Sequence, residues 1–193
     1  SPESGNYDGD RVTLARTTTQ LDSETLVPVA TPGNTASTLA GNQIVWKVNT
    51  AIQSLLSTPP QESNVKIIAE LPPEVSYNQS CTVGYANPSG TVIGTPADLV
   101  EFNTDRNGSA KPGYTRLTWS LGTVTADTPI PSRVICTDSD PLAKNNTSVI
   151  AYFEIKGDTL ISALAQRSDT HTITLEQIGS IQLSKKVDIS LDN

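Results

Sequence analysis

Apolar residues in this chain recur at every second position more often than at helical spacing. Within Gln43-Ile44-Val45-Trp46-Lys47-Val48-Asn49, Ile44, Trp46 and Val48 alternate with Val45 and Lys47. Leu117, Trp119 and Leu121 alternate in the same way with Thr118 and Ser120. A period of two places one face of a strand on a core, so both runs predict strands. Further strands are expected over Asn64–Leu71, Val75–Tyr77, Cys81–Tyr85, Ala97–Phe102, Arg133–Thr137, Ser148–Lys156 and His171–Ile178. Turn chemistry separates them, at Pro59-Pro60, Pro72-Pro73, Asn87-Pro88-Ser89-Gly90 and Asp105-Arg106-Asn107-Gly108-Ser109. Two segments read differently. Ala51–Leu56 suggests a short helical turn, and Asp158–Gln166 predicts a helix with Leu160, Ile161, Leu164 and Ala165 on one face and Asp158 as its N-cap. Short strands at close spacing predict an all-β, Greek-key sandwich with at most one or two short helices.

The first 38 residues are polar and rich in Ser and Thr. They contain two strand-capable runs, Arg11–Ala15 and Thr25–Val29, and Pro28 points to an edge position for the second. The expected organisation is an extended arm or a pair of first strands over residues 1–38, followed by a sandwich over residues 39–193. Val12, Leu14, Leu26, Val27 and Val29 are the apolar positions of the two runs and the candidates for an intersubunit strand, added to the sheet edge of a neighbouring copy. Pairing within the same domain is the equal alternative. The tail from Ile181 to Asp188 reads as a final strand or a linker.

Charge and composition narrow the class. The net charge of −7 comes with Lys and Arg scattered along the chain, an arrangement that repels nucleic acid and anionic membranes. No apolar run approaches the roughly 18 to 20 residues of a membrane span, so no direct insertion is expected. Methionine is absent, so the chain is expected to be a processed product or an excised fragment, and Ser1-Pro2-Glu3-Ser4-Gly5 has the small, polar character of a segment following signal cleavage. Export suits the two cysteines, Cys81 and Cys136, each in a strand-like run. They are expected to form one disulfide across a sandwich, and the chain-entropy model gives so long a loop about 4 kcal/mol. Two buried free thiols are the alternative.

The order of the motifs carries a resemblance. A Pro-Gly turn precedes the strand Ile44–Asn49, Val65–Leu71 leads into Pro72-Pro73-Glu74-Val75-Ser76-Tyr77, and Leu117-Thr118-Trp119-Ser120-Leu121-Gly122 follows later. This order resembles the immunoglobulin-like conserved repeat domains of microbial surface proteins, of the domain of unknown function eleven type. The similarity covers residues 30–188, and its most specific element is Trp119-Ser120-Leu121-Gly122. It implies an immunoglobulin-like sandwich serving as a module of stalks, fibres or surface layers, extracellular or on the cell surface. The partners it implies are identical subunits or neighbouring repeat domains, and it supplies no catalytic residues.

Candidate chemistry is sparse. His171 is the only histidine and lies in Thr170-His171-Thr172-Ile173-Thr174; it is expected to be a half-exposed strand residue sharing a face with Ile173. No Gly-x-Ser-x-Gly elbow accompanies it, so a hydrolase is not expected. Asp8-Gly9-Asp10 and Asp138-Ser139-Asp140 present hard oxygen ligands, and Asp138 with Asp140 is the better candidate for calcium, although neither completes a twelve-residue calcium loop. No other cofactor is expected. Lys47 beside Asn49 raises an intramolecular amide cross-link, but Lys47 is out of phase with the apolar face. Sequons at Asn78, Asn107 and Asn145 mark exposed loops. The expected function is a non-enzymatic structural subunit of a surface assembly. The alternative is an adhesin or carbohydrate-binding module, with Tyr7, Tyr77, Tyr85, Tyr114 and Tyr152 as candidates for an aromatic platform.

Overall fold

A computed structural model describes residues 16–26, 37–54, 56–79, 82–84, 91–160 and 166–175. Four strands make one sheet, in the order β1 (Arg16–Leu26), β3 (Gln43–Gln53), β10 (Arg133–Ser139) and β5 (Val75–Asn78). Six make the other, in the order β2 (Ser37–Leu39), β12 (Gln166–Thr174), β11 (Thr147–Lys156), β4 (Gln61–Leu71), β9 (Ala110–Thr125) and β8 (Leu99–Thr104). Strands β6 (Thr82–Gly84) and β7 (Thr91–Ile93) form a separate hairpin. Among the described ladders β2 with β12 is parallel and the others are antiparallel. The chain repeatedly changes sheet between successive strands, giving an all-β, immunoglobulin-like Greek-key sandwich.

Alternation in the sequence accounts for the core. Ile44, Trp46, Val48 and Ile52 of β3 meet Val149, Ala151, Phe153 and Ile155 of β11, Val65, Ile67, Ala69 and Leu71 of β4, and Leu117 and Trp119 of β9, all buried. Trp46 lies against Phe153 with ring centroids 6.0 Å apart. Fully burying one such side chain contributes roughly 1.5–3 kcal/mol, so these facing rows drive the two sheets together. Both indole N–H groups find acceptors, Trp46 at Thr137 Oγ1 (3.1 Å) and Trp119 at the Thr95 carbonyl (3.2 Å). The Thr137 hydroxyl donates onward to the Ile44 carbonyl at 2.7 Å.

The Leu-Pro-Pro motif is the corner between the sheets. Strand β4 ends at Leu71, Pro72 and Pro73 supply no N–H to continue its ladder, and β5 begins at Val75 in the opposite sheet. Gly113 closes over this corner at φ +82°, where a Cβ would come within 2.9 Å of Pro73 Cγ. Gly122, the last residue of Trp-Ser-Leu-Gly, sits at φ +69° beside the irregular pairing of Val65, and it lets β9 twist through that irregularity.

Neither helix expected from the sequence is present among the described residues. Ala51–Gln53 continue β3, with Ala51 across from Thr18 and Ile52 across from Thr17 of β1. The strand stops where the Ser54 N–H donates to Asp127 Oδ1 at 3.1 Å. The Asp158 carboxylate accepts from Asn64 Nδ2 at 3.0 and 3.1 Å, and the Thr159 N–H donates to Glu62 Oε1 at 2.8 Å. These bonds tie the segment to β4, Gln166 already belongs to β12, and residues 161–165 lie outside the described residues. No described helix is long and apolar enough to cross a membrane.

Residues 16–26, within the segment expected as an extended arm or first strands, form β1. Arg16 to Leu26 pair with Gln53 to Gln43 along the whole of β3. Residues 1–38 thus contribute a strand to each sheet, β1 to one and most of β2 to the other.

Candidate functional site

In a sandwich the inner faces are used for packing, which leaves loops, outer faces and strand edges to meet other molecules, and the edges are the positions that can add a strand. The described edges are not equivalent. Strand β5 offers four residues. Strand β8 exposes Leu99 (51%) and Phe102 (69%), but Asn103 at φ +52° breaks its register with β9, and a bulge of this kind blunts an edge against further pairing. Strand β1 is eleven residues long and contains no proline, and β3 is its sole neighbour among the described ladders. In its register Asp22 stands across from Lys47. Of the candidate intersubunit residues, Leu26 ends β1 opposite Gln43, while Val12, Leu14, Val27 and Val29 lie outside the described residues.

The edge of β12 is covered by the short β2. Ser37, Thr38 and Leu39 run parallel to Thr172, Ile173 and Thr174, and the Ala40 N–H donates to the Thr174 carbonyl at 2.9 Å. Here the expectation for His171 is overturned. It does share a face with Ile173, but it is fully buried instead of half-exposed. Its Nε2 lies 2.6 Å from Thr38 Oγ1, and its ring meets Trp46 edge-on at 6.1 Å. Flanking threonines made the segment look polar; what buries the ring is a strand more than a hundred residues away. Desolvation pushes the imidazole pKa down to about 4, so it is neutral at neutral pH. A hydroxyl and an imidazole in contact are the beginnings of a nucleophile and base pair. With Thr38 at 3% exposure and His171 at 0%, no substrate carbonyl can reach this hydroxyl, and the pair is a structural bond.

Each of the described calcium candidates accepts a hydrogen bond from the protein. Asp138 is half-buried on β10 and accepts from Asn78 Nδ2 at 3.2 Å, while Asp140 Oδ1 accepts from the Leu142 N–H at 2.9 Å. With Glu74 they border an open depression of about 380 Å³. Among the described residues no group of three or more His, Cys, Asp or Glu side chains converges on one point. Asp8 and Asp10 lie outside the described residues. Cys136 is buried on β10 across from Asn78, the last residue of β5. Its expected partner, Cys81, lies outside the described residues three positions further along.

Each described tyrosine is already in contact with another group. Tyr77 accepts from the Ala97 N–H through its hydroxyl (3.1 Å) and packs on the core. Arg106 lies 3.9 Å above the Tyr152 ring and Lys111 3.7 Å above that of Tyr114, so a cation already covers one face of each. Burial raises the Tyr152 pKa. Arg106 is held in place where its N–H donates to Glu70 Oε2 at 2.7 Å. The adjoining loop is capped by Asp105, whose carboxylate accepts from the Ser109 and Asn107 N–H groups, an arrangement that lowers its pKa. Tyr7 and Tyr85 lie outside the described residues. Lys47 is exposed, as its phase in the strand indicates, and Asn49 accepts from the Ser132 hydroxyl; an amide cross-link needs a desolvated amine, which this lysine is not.

No family model matches the sequence, and no curated protein sequence does. Among solved structures, the cohesin module of a family 33 glycoside hydrolase from Clostridium perfringens aligns with a TM-score of 0.40 and 13% identity, over 85% of this chain and 99% of that one. AvmM, which catalyses macrocyclization in alchivemycin A biosynthesis, aligns at 0.41 and 7% identity over 86% and 92% of the two chains. The collagen-binding domain of a Staphylococcus aureus adhesin aligns at 0.30 and 8% identity over 83% and 97%. Likeness at these scores carries no functional argument; the sandwich rests on its own ladders, and the candidate site is its strand edges.

Proposed function

We propose that this chain is a non-enzymatic structural module of an extracellular surface assembly such as a fibre, stalk or surface layer, whose copies join when the N-terminal strand of one is added to the sheet of the next. The observation that carries this reading is the ladder between β1 and β3, which runs from Arg16 opposite Gln53 to Leu26 opposite Gln43. Strand β1 reads Arg-Thr-Thr-Thr-Gln-Leu-Asp-Ser-Glu-Thr-Leu. A strand with so few apolar residues is held chiefly by main-chain hydrogen bonds, and such bonds form equally well whichever copy supplies the strand. Residues 27–36 connect it to β2, and a segment of that length reaches at most about 36 Å when extended. That span is enough to place β1 on an adjacent sandwich. Val12 and Leu14 before β1, and Val27 and Val29 after it, would lengthen the donated strand.

The resemblance of Trp119-Ser120-Leu121-Gly122 and of the Pro72-Pro73 corner to surface repeat domains supports the module reading, and a Cys81–Cys136 disulfide would suit an oxidising exterior. Asp138 and Asp140 are the candidate calcium ligands in this reading, since a carboxylate that accepts a protein hydrogen bond keeps lone pairs for a cation. The test mixes unlabelled and 15N-labelled full chain, refolds them together at high concentration and reads the products by native mass spectrometry. Mixed-isotope oligomers, lost when residues 1–26 are deleted, are the expected result. A full chain that stays monomeric throughout, or a truncated chain that associates equally, overturns the reading.

A further inference from the structure

The two ends of the sandwich carry features that its strand edges do not explain. At one end the loop after β10 presents Leu142 with 88% of its surface in water, more than any other large apolar side chain described. A single exposed leucine is common on proteins, but the loop that carries this one is pinned. The Asp140 N–H donates to the Glu74 carbonyl (3.0 Å), the Leu142 N–H to Asp140 Oδ1 (2.9 Å), the Ala143 N–H to the Asp140 carbonyl (3.1 Å) and the Thr147 hydroxyl to the Lys144 carbonyl (2.7 Å). Ala143 packs on the core, which gives Leu142 a fixed base. At the other end Leu121, Val124, Pro129, Ile130 and Pro131 line an open depression of about 320 Å³. A cavity of roughly 150 Å³ holds a benzene ring, so this hollow has room for a branched aliphatic side chain. Strand β4 separates the two features: Pro60 before it accepts from the Ala126 N–H (2.9 Å), Glu74 after it accepts from Asp140, and its eleven residues span roughly 35 Å.

We propose that the sandwich associates head to tail with a second copy of itself, Leu142 of one copy entering the hollow between Leu121, Val124 and Ile130 of the next. The charges around the two features are complementary. Asp140 and Lys144 flank the leucine in the chain, and exposed Asp127 and half-buried Arg133 flank the residues of the hollow, so each carboxylate and each cation has a counterpart of opposite sign on the other copy. Arg133 is held beside the hollow where its guanidinium donates to the Pro131 carbonyl at 2.6 Å. Because the knob and the hollow are different surfaces at opposite ends, the contact does not close on itself and repeats along the strand direction as a filament. One leucine and its neighbours cover far less than the roughly 800 Å² per partner of a stable interface, so the contact alone has a dissociation constant of about 1 mM. A second link between copies that holds them at millimolar effective concentration is enough to fill it. The contact uses neither β1 nor a sheet edge, and it does not rest on the strand-addition reading above.

NMR spectra of the 15N-labelled full chain, recorded from about 0.05 to about 2 mM without any refolding step, test this. The expected result is a set of concentration-dependent shifts in residues 140–144 and 121–131 together, with β4 and β11 unchanged and full reversal on dilution. Leu142→Asp removes the knob, and Thr128→Asp places a charge in the lining of the hollow; both positions are exposed, so neither change disturbs the core. Each variant alone should lose the shifts at both ends, the contact weakening roughly tenfold or more. Mixing them should restore one contact: labelled Leu142→Asp shifts only in 121–131 when unlabelled Thr128→Asp is added, and the reverse labelling shifts only 140–144. Spectra that do not change with concentration, shifts at one end alone, shifts that persist in Leu142→Asp, or variants that fail to complement each other each overturn the proposal. Strand addition requires refolding, whereas this contact forms on simple concentration, so either can fail while the other stands.

Discussion

His171 places a titratable ring where the fold requires a neutral one, and the sign of its effect on global stability follows from that. The unfolded chain binds a proton with a pKa near 6.5, the folded chain only at about 4. Between these values the unfolded state holds more protons, so the histidine's contribution to stability is complete above pH 6.5 and is lost as pH falls towards 4. By pH 4 the loss is on the order of 2–3 kcal/mol. Urea denaturation at pH 7 and pH 4 should show it as a lowered midpoint, beyond the change seen in His171→Gln, which shares all the carboxylates and lacks only the titrating ring. Equal pH dependence in the two proteins would remove the histidine from the acid response.

At the scale of elements, Gly122 separates conformational strain from crowding. A Cβ there would meet nothing within 4 Å, yet its φ of +69° is one that side chains with a Cβ disfavour. Gly122→Ala should therefore cost about 1 kcal/mol with no steric clash, read as a drop in the thermal midpoint; an unchanged midpoint would mean β9 relaxes its bulge freely. The Cys81–Cys136 pair is a second element-scale prediction, because Cys136 faces the last residue of β5 and Cys81 follows three positions on. Oxidised chain should weigh less than reduced chain by two hydrogens, and reduction should lower stability by up to about 4 kcal/mol. Strands β3, β4, β9 and β11 were legible in the sequence because alternating Ile, Val, Trp and Phe positions report directly on a face that must be buried. Strand β1 was not, because its Thr-rich sequence gains its place from a main-chain ladder, and such a ladder leaves no periodic apolar signature. At the start of the helix expected from Asp158, Asp158 and Thr159 bond to Asn64 and Glu62 of β4, a choice that spacing cannot reveal, while residues 161–165 lie outside the described residues. Of the candidate site, the contact between Thr38 and His171 was not readable, because it joins residues far apart in the chain and has no local sign.

For the whole molecule, the choice between strand pairing within a chain and between chains turns on residues 27–36. The β1 to β3 ladder contributes the same bonds in both arrangements. What differs is the entropy of association against the freedom of the connecting segment, so the connection is the adjustable quantity. Deleting residues 29–34 leaves four residues between the strands, whose reach falls to at most about 14 Å. Such a connection strains return of β1 to its own β3 while leaving the β3 of a second copy accessible, and short hinges under strain drive domain exchange. The shortened chain should therefore elute as dimers or higher oligomers in light-scattering chromatography at concentrations where the full chain is largely monomeric. Dilution should not reverse this quickly, because each exchange must first break an eleven-residue ladder. A shortened chain that remains a folded monomer would show that β1 closes on its own sheet even through a minimal connection, and assembly would then have to use an edge other than that of β3.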